Sequence, residues 1–368
     1  MALLKSFRIE GLAGREDVCE KTLNQSVSVF FGPNGSGKTS LLRILHSALL
    51  LKGDLVKAVP FTKAEVHIQD YRGQEHVLRL DKSKPQTKRS TSLTSFLKGK
   101  VEELVWTVEP HHDHGWYHRF LPTSRLYTKR TQQTNLFATG AEADSDLETR
   151  FAESLADTWK EYSTDIALAV NRAQEEGLAR ILESVITDVE SVQENEPTNP
   201  KAAYEAVSKF LTRRQMKSAT LSQEAFLKRY KNNKQFRSVA KDIQSIERMV
   251  SYYAAPRENF KELVNEMLGG SKSVSYSDKE IEVAIREKKI PLSFLSSGEK
   301  QLLKIFVETL IAGVTVILVD EPEISMHVDW QRRLVACMRV LNPRVQIVLA
   351  THSPEIMADL PEDQIFHI

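Results

Sequence analysis

One stretch of sequence decides the fold of this chain: Gly32-Pro33-Asn34-Gly35-Ser36-Gly37-Lys38-Thr39. It follows a short apolar run, Val27–Phe31, that is typical of a buried strand, and it leads into a helical pattern over Lys38–Leu51. Glycines let backbone N–H groups turn toward phosphate oxygens, and the start of a helix adds the positive end of its dipole. The spacing and its context therefore predict a phosphate-binding loop between a strand and a helix.

Two side chains of this loop have the chemistry to act on a bound triphosphate. We expect the Lys38 ammonium to pair with the β- and γ-phosphates and the Thr39 hydroxyl to ligate Mg²⁺. Ser40, the next residue, completes the set expected to bind nucleotide. The alternative is a glycine turn that binds no ligand, which the complete spacing disfavours.

A pair of acids follows the apolar run 314–319, whose six residues suit a central strand buried on both faces. We expect Asp320 to hold Mg²⁺ and Glu321 to polarise the attacking water, where general-base help is worth about 10²- to 10⁴-fold in rate. Two acids before a proline more commonly form a solvated strand end. The phosphate loop in the same chain favours the catalytic interpretation.

A third segment, Leu295-Ser296-Ser297-Gly298-Glu299, precedes an apolar helix and resembles the signature motif of ABC-type ATPases. Ser297 replaces the first glycine of that motif, and Glu299 replaces the usual glutamine. Ser296 also suits a helix N-cap, and a capped helix start can bind phosphate. The resemblance implies that Ser296, Ser297, Gly298 and Glu299 contact the ATP held by a second subunit.

A fourth segment, Thr351-His352-Ser353-Pro354, follows the strand-like run 346–350 and resembles the switch-histidine segment of the same ATPases. The resemblance implies that the His352 imidazole contacts the γ-phosphate and the attacking water. A lone histidine at a strand end is usually structural or merely exposed, but the order of the motifs favours the catalytic role.

The segment Asp320-Glu321-Pro322-Glu323-Ile324-Ser325-Met326-His327, taken with the other motifs, resembles the bacterial SMC-like, RecF-like and OLD-like ATPases, a group of AAA ATP-binding proteins. The likeness covers residues 1–80 and 260–368, and it is nearest to ATPase subunits of anti-phage defence systems such as Septu. His327 stands where transporter ATPases carry an aspartate. OLD-like proteins also have a histidine at this position. The likeness implies ATP and Mg²⁺ as ligands and a head-to-tail homodimer or a higher even-numbered oligomer. For the Q-loop glutamine of this group, one candidate is Gln69, and the other is the segment Pro122–Arg125 acting in its stead.

The predicted fold class is α/β: an ABC-type P-loop ATPase head with a mixed, mainly parallel central sheet, split by an inserted α-helical lobe. Residues 1–140 would form the N-terminal half of the head, 141–260 the lobe, and 261–368 the C-terminal half. Apolar residues three or four positions apart, beginning at Leu155 and Trp159, indicate amphipathic helices in the lobe. We expect Gly177 to weaken the first of these helices and the segment 194–200 to end it.

Composition sets broader limits on the chain. A formal net charge of +1 over 368 residues gives no bulk attraction to nucleic acid or acidic membranes. The apolar stretches are far shorter than the roughly 20 residues of a membrane span. Cys19 and Cys337 are far apart and lack metal-type spacing, which indicates free thiols in a reducing compartment. We therefore expect a cytoplasmic protein with no membrane partner.

The basic stretch 209–241 carries ten lysines and arginines against Glu224 alone. Phe226, Tyr230 and Phe236 are interleaved with these cations. A nucleic-acid surface would use cations for phosphates and aromatic rings for bases. The alternatives are packing against the acidic stretch 141–196 and a surface for a protein partner.

Four histidines lie close together in sequence with Asp113: His111, His112, His114 and His118. Neither helical nor strand spacing directs them to one point, so we interpret them as a polar loop and not as a metal site.

Together the motifs support an Mg²⁺-dependent ATPase in which two heads close on ATP and hydrolyse it. The closure would regulate a partner effector, a nuclease or toxin of anti-phage defence. One alternative is a RecF-like DNA-binding ATPase of recombination and repair. A transporter ATPase subunit is less favoured because of His327 and the long lobe.

Overall fold

The computed structural model describes residues 2–83, 86–87, 102–123, 140–186, 199–215, 222–269 and 272–368. The chain divides into two compact units. The first contains Met1–Ala156, Glu262–Ser275 and Ile281–Ile368, and the second contains Asp157–Lys261 and Tyr276–Glu280. The domain boundaries expected near residues 140 and 260 remain predictions.

In chain order the strands are β1 (Ala2–Glu10), β2 (Val18–Thr22), β3 (Val27–Phe31), β4 (Lys63–Asp70), β5 (Glu75–Asp81), β6 (Gln86–Thr87), β7 (Glu102–Glu103), β8 (Thr107–Glu109), β9 (Arg119–Leu121), β10 (Lys272–Tyr276), β11 (Ile281–Ile285), β12 (Lys288–Ile290), β13 (Val316–Asp320), β14 (Gln346–Thr351) and β15 (Ile365–His367). The helices are α1 (Lys38–Leu50), α2 (Gly140–Ile186), α3 (Pro200–Arg213), α4 (Gln223–Asn232), α5 (Lys234–Leu268), α6 (Ser297–Ile311), α7 (Val328–Leu341) and α8 (Pro354–Met357).

A parallel sheet with the strand order β15-β3-β14-β13-β9 carries the predicted motifs. The residues of β13 and β14 are all buried, as expected for central strands covered on both faces. The register pairs Asp320 with Ala350 and Thr351 with Phe31. Because these strands run in one direction, the residues that follow them meet at one edge of the sheet.

An antiparallel sheet with the order β2-β1-β4-β5-β8 also belongs to the first unit. Helix α1 packs into an apolar core shared with residues of both sheets. The core includes Leu41, Leu42, Ile44, Leu45 and Leu49 of α1, Phe7, Ile9, Val66 and Ile68 of the antiparallel sheet, and Leu318 and Val348 of the parallel sheet. Each such side chain contributes about 1.5–3 kcal/mol on burial, so this core holds the start of α1 in place.

A fully buried amide joins the two sheets. The Gln346 side chain accepts a hydrogen bond from Leu4 N–H at 2.8 Å and donates to the carbonyl oxygens of Leu4 and Asn24 at 2.8 and 2.9 Å. Since both ends of the amide are satisfied, its burial carries no unpaired polar group.

In the second unit, α2 packs against α5 and runs without interruption through Gly177. A Cβ at Gly177 would lie 2.2 Å from Ile246 Cγ1, so glycine is needed there for close helix packing. Packing thus overrides the low helix propensity of glycine that led us to expect a weak point. The segment 187–198, which includes most of the expected helix end, lies outside the described residues.

Aromatic side chains form the core of the second unit. Trp159 is fully buried, and its indole N–H donates to Ser277 O at 2.8 Å. Phe226 and Tyr230 of the basic stretch are also buried, with 1% and 4% exposure. These aromatic rings are therefore core residues.

The structure confirms the predicted α/β class, with a parallel sheet in the head and an inserted helical segment. Among the described residues, no helix is both long enough and apolar enough to cross a membrane.

Candidate nucleotide site

The loop between β3 and α1 depends on glycine for two different reasons. Gly35 and Gly37 have positive φ angles of 81° and 99°, which strain any residue that has a Cβ. Gly32 has no room for one, because a Cβ would lie 2.5 Å from Ile368 O and 2.9 Å from Ser36 Oγ. The loop backbone is therefore held in a tight turn at the N-terminus of α1, where helix N–H groups favour an anion.

The Lys38 ammonium lies inside this loop. Its Nζ donates to the carbonyl oxygens of Gly32 and Pro33, both at 2.8 Å, and the residue is only 4% exposed. An ammonium has three N–H donors, so these two bonds leave one for an anion. The loop thus fits a phosphate group in both charge and donor geometry.

Asp320, at the end of β13, joins the loop to two other parts of the chain. Thr39 Oγ1 donates to Asp320 Oδ1 at 3.2 Å, and Thr123 Oγ1 donates to Asp320 Oδ2 at 2.6 Å. Asp320 is 1% exposed, so its carboxylate is buried, and each of its oxygens accepts a hydrogen bond. Hydroxyl and carboxylate oxygens are the ligands that Mg²⁺ prefers, so the donor set fits this ion.

The position of Thr123 helps to choose between the two candidates for the Q-loop, Gln69 and the segment Pro122–Arg125. It follows β9 at the same sheet edge and lies in the candidate segment Pro122–Arg125, of which residues 124 and 125 are outside the described part. Gln69, the other candidate, donates to Gly73 O at 3.2 Å in the turn between β4 and β5. The contact with Asp320 favours the segment that contains Thr123.

A cleft of about 350 Å³ opens over the loop. It is lined by Ala13, Asn34, Gly35, Gly37, Lys38, Thr39, Ser40, Pro60 and Glu321. Ala13 and Pro60 were not predicted, since they come from loops without a recognisable motif. Arg15, near Ala13, donates to Ser36 O at 3.0 Å and ties that loop to the phosphate loop.

Glu321 has a positive φ of 47°, an uncommon conformation for a residue with a side chain, and its N–H donates to Ala350 O at 2.8 Å. Such backbone strain often occurs at functional sites. The conformation fits the predicted catalytic role of a residue that also lines the cleft.

His352 directly follows β14, and its side chain is 44% exposed. Its Nδ1 lies 2.9 Å from Glu323 Oε1, and the same oxygen accepts the His352 backbone N–H at 2.8 Å. Glu323 was not singled out by the sequence, because only the fold brings it beside His352. The cleft lining does not include His352.

The signature segment forms the capped N-terminus of α6. Ser296 Oγ accepts the Glu299 N–H, and the Glu299 carboxylate accepts the Ser296 N–H at 2.7 Å, which together make a capping box. Ser296 and Ser297 are exposed, whereas Gly298 is buried. A Cβ on Gly298 would lie 2.1 Å from Ser325 O, so glycine is required at this close approach.

Lys272 adds a charged partner to this cap. Its Nζ lies 2.6 and 2.7 Å from the two carboxylate oxygens of Glu299. Burial raises the pKa of Glu299, but the hydrogen bonds from Lys272 and Ser296 outweigh it and hold the pKa below its usual range. The carboxylate is therefore ionised at neutral pH and stabilises the start of α6.

Other residues singled out by the sequence have local roles. His327 is the N-cap of α7, and its Nδ1 accepts the Asp329 N–H at 3.3 Å. His118 Nε2 lies 2.7 Å from His46 Nδ1, whereas the His112 ring stacks on Trp116. Within the described ranges, no group of three or more His, Cys, Asp or Glu side chains could hold a metal ion.

Comparison with known proteins identifies the family. The family described as "AAA domain, putative AbiEii toxin, Type IV TA system" matches residues 27–358, which span the phosphate loop, the signature segment, the acid pair and His352. The chain belongs to this family. The expected resemblance to AAA ATP-binding proteins is confirmed by this match, while the roles of individual residues remain predictions.

The chain is similar to two proteins named as probable retron ATPases. "Retron Vc95 probable ATPase" of Vibrio cholerae serotype O1 biovar El Tor is 20% identical over 369 residues, covering 93% of this chain and 68% of that protein. "Retron Ec83 probable ATPase" of Escherichia coli is 22% identical over 166 residues, covering 39% of this chain and 31% of that protein.

Among solved structures, an Smc head domain with an extended coiled coil from Pyrococcus furiosus, bound to the C-terminal domain of ScpA, matches with a TM-score of 0.45 at 12% identity. That match covers 97% of this chain and 92% of the Smc chain. The SMC head domain from Thermotoga maritima matches with a TM-score of 0.41 at 13% identity, covering 99% and 94% of the two chains.

The lowered pKa of Glu299 predicts a pH-dependent contribution to stability. Because the folded pKa lies below the unfolded value, the contribution is present above about pH 4.5 and is lost as the pH falls through the folded pKa. The Glu299→Gln variant should lower the free energy of unfolding by about 1–2 kcal/mol at neutral pH, and the difference should shrink in acid.

Urea denaturation of wild type and Glu299→Gln, from neutral pH to below about pH 4.5, measures the difference in the free energy of unfolding. Glu282→Gln is the matched control, since Glu282 pairs with the well-exposed Lys289 and should change stability by less than about 1 kcal/mol. A difference that stays constant from neutral pH into acid would contradict the prediction.

Proposed function

We propose that the chain binds ATP with Mg²⁺ and hydrolyses it to ADP and phosphate. The observation that carries this proposal is the cleft over the phosphate loop, which is lined by both Lys38 and Glu321. The bonded pair Thr39 and Asp320 supplies oxygen ligands beside it. The names of the matched family and of both relatives are consistent with ATPase activity.

Each residue of the site has a separate task in this proposal. Loop N–H groups and Lys38 bind and orient the phosphates, and Glu321 orients the attacking water and accepts its proton. His352 contacts the γ-phosphate at the same sheet edge. Thr39 and Asp320 would hold Mg²⁺, which neutralises charge on the phosphate oxygens when bound.

The Glu321→Gln variant should lose ATP turnover by at least about 10²-fold, because the amide cannot accept the proton from water. ATP affinity should stay within a few-fold of wild type, since Lys38 and the loop are unchanged. Phosphate release measures turnover, and equilibrium binding of a fluorescent ATP analogue measures affinity. Glu362→Gln, a change at an exposed carboxylate, serves as the control. Undiminished turnover in Glu321→Gln would remove this residue from the mechanism.

We further propose that two copies pair head to tail, as a dimer or a higher even-numbered oligomer. The exposed Ser296 and Ser297 begin α6, and the capping box there uses the N–H groups of Ser296 and Glu299 but not those of Ser297 and Gly298. These residues do not belong to the cleft lining of their own chain. A phosphate bound by a second copy would accept hydrogen bonds from these N–H groups, and it would be attracted by the positive end of the helix dipole.

The head-to-tail arrangement can be tested with Ser296→Asp. Aspartate caps a helix as well as serine does, so the fold should persist, but its negative charge should repel a phosphate. Ser296→Asp and Lys38→Ala should each abolish turnover alone. Mixing the two variants should restore turnover, because each mixed pair contains one site with an intact loop and an intact signature segment.

Recovery on mixing is measured by phosphate release after the subunits have exchanged. Mixing Lys38→Ala with Glu321→Gln is the control, because both changes affect the loop side of the site and no intact site can form. Equal inactivity of both mixtures, despite proven subunit exchange, would exclude the head-to-tail pairing.

We propose that closure of the heads regulates a partner effector, a nuclease or toxin, in bacterial anti-phage defence. Support comes from the resemblance to defence ATPases, from the words "putative AbiEii toxin" in the name of the family, and from two relatives named as probable retron ATPases. We place this activity in the cytoplasm, consistent with the free thiols of Cys19 and Cys337.

The basic stretch 209–241 supports a second candidate, direct binding of nucleic acid. Lys228, Arg229 and Lys231 of α4 are all exposed. Since Phe226 and Tyr230 are buried, this surface offers cations for phosphates and not these rings for base stacking. The expected binding is therefore electrostatic and independent of sequence.

The double variant Lys228→Glu and Lys231→Glu should weaken DNA binding and reduce its dependence on salt. Each lost phosphate contact should lower the slope of log affinity against log salt concentration by about 0.9. Fluorescence anisotropy with labelled duplex DNA measures this slope. Lys201→Glu, an exposed change outside the basic stretch, is the control. An unchanged slope in the double variant would argue against this surface.

A further inference from the structure

The turn after β13 contains a buried carboxylate that no part of the proposed chemistry uses. Glu323 is only 6% exposed. Its Oε1 accepts the backbone N–H of His352 at 2.8 Å and lies 2.9 Å from His352 Nδ1. Its Oε2 is buried and has no hydrogen-bond partner within the described part of the chain. A buried carboxylate is costly unless it is paired, so the contact with His352 has a structural reason to persist.

This contact determines which ring nitrogen of His352 carries a proton. The carboxylate oxygen presents lone pairs, and at 2.9 Å it would repel a lone pair on Nδ1, so this contact favours a proton on Nδ1. In a histidine, the partner of one ring nitrogen sets the protonation state of the other nitrogen and the orientation of the ring. With Nδ1 held by Glu323, Nε2 is the nitrogen that can meet a ligand, and the imidazole is 44% exposed.

Strand register brings this pair to the edge that holds the phosphate loop. Thr351, the residue before His352, is paired with Phe31, the residue before Gly32. On the other side, Glu321 N–H donates to Ala350 O at 2.8 Å. The backbone at His352 therefore lies next to both the phosphate loop and the predicted catalytic acid, Glu321.

A separate set of hydrogen bonds holds the backbone on both sides of the pair. Ser353 Oγ donates to Gln331 Oε1 at 2.6 Å, and Gln331 Nε2 donates to Met326 O at 2.9 Å. These bonds do not involve the carboxylate. The side chain of Glu323 can therefore be changed while the two segments stay joined.

We propose that Glu323 is a positioning residue that holds His352 with Nδ1 protonated and Nε2 directed at the nucleotide. It acts through His352 and does not itself touch the substrate. The part of the inference that concerns turnover rests on the ATP hydrolysis proposed above. The proton on Nδ1 is a property of the protein without nucleotide.

Two variants separate the charge of Glu323 from its hydrogen-bonding capacity. Glu323→Met removes both acceptor oxygens at similar volume, whereas Glu323→Gln keeps one acceptor and removes the charge. Groups that orient a metal-bound histidine typically contribute about 10- to 100-fold in activity, and we take the same range for Glu323. We expect Glu323→Met to lower kcat by about this factor with little change in KM for ATP, and Glu323→Gln to recover much of the loss.

The proton position is measured by ¹⁵N NMR of histidine-labelled protein without nucleotide. The signals of His352 are identified by their disappearance in His352→Asn. In wild type and Glu323→Gln, Nδ1 of His352 should carry a proton, and in Glu323→Met this proton should move to Nε2. Glu355→Gln is the matched control, because Glu355 is three residues from His352 but pairs with Arg332. It should change neither the spectrum nor turnover.

These two measurements distinguish failure of the inference from failure of the proposed function. Wild type lacking a proton on Nδ1, or Glu323→Met with an unchanged His352 spectrum, overturns the positioning role whether or not ATP is hydrolysed. Loss of turnover in Glu323→Met without a change in the spectrum also overturns it, since the effect would then be structural. If wild type does not hydrolyse ATP but the spectra change as expected, only the ATPase proposal fails.

Discussion

The Asp320 carboxylate is bonded to two threonines that are far from it in sequence: Thr39 at the start of α1 and Thr123 after β9. Asp320 is almost fully buried, and a buried carboxylate needs hydrogen-bond donors, so the fold has to hold both threonines close to it. This requirement links the phosphate loop, β9 and β13. The parallel register supports it, because neighbouring strands end at the same edge of the sheet.

The start of α6 is held by a second set of contacts, and these meet the turn that follows β13. Gln301 Nε2 donates to Pro322 O at 2.6 Å, and Gly298 leaves no room for a side chain against Ser325 O. Glu323 in the same turn contacts His352. The proposed contact with a second copy at Ser296 is therefore connected, through a few residues, to the proposed catalytic edge. This continuity gives a physical route by which pairing of two heads could affect hydrolysis.

Aromatic and basic residues are interleaved in the sequence of the basic stretch 209–241, but they have different roles in the structure. Among the aromatic residues of the basic stretch, Phe226 and Tyr230 are core residues that hold α3, α4 and α5 together. Lys228 and Lys231 of α4 are exposed, and Arg229 lies over the Phe236 ring at 5.5 Å. Sequence alone could not separate these uses, since aromatic residues next to cations are compatible with either a core or a nucleic-acid surface.

Short-range patterns were sufficient to predict the phosphate loop, the strands before Asp320 and His352, and the cap at Ser296. Each of these depends on residues that are adjacent in the chain, where spacing and hydrophobic periodicity carry the information. The contacts of Thr123, Pro60 and Glu323 were decided only by the tertiary structure. Their partners lie far away in sequence or follow no motif, so the contacts exist only after strand order and register are set. Packing also decided the continuity of α2, because close contact with α5 offsets the local cost of a glycine inside a helix.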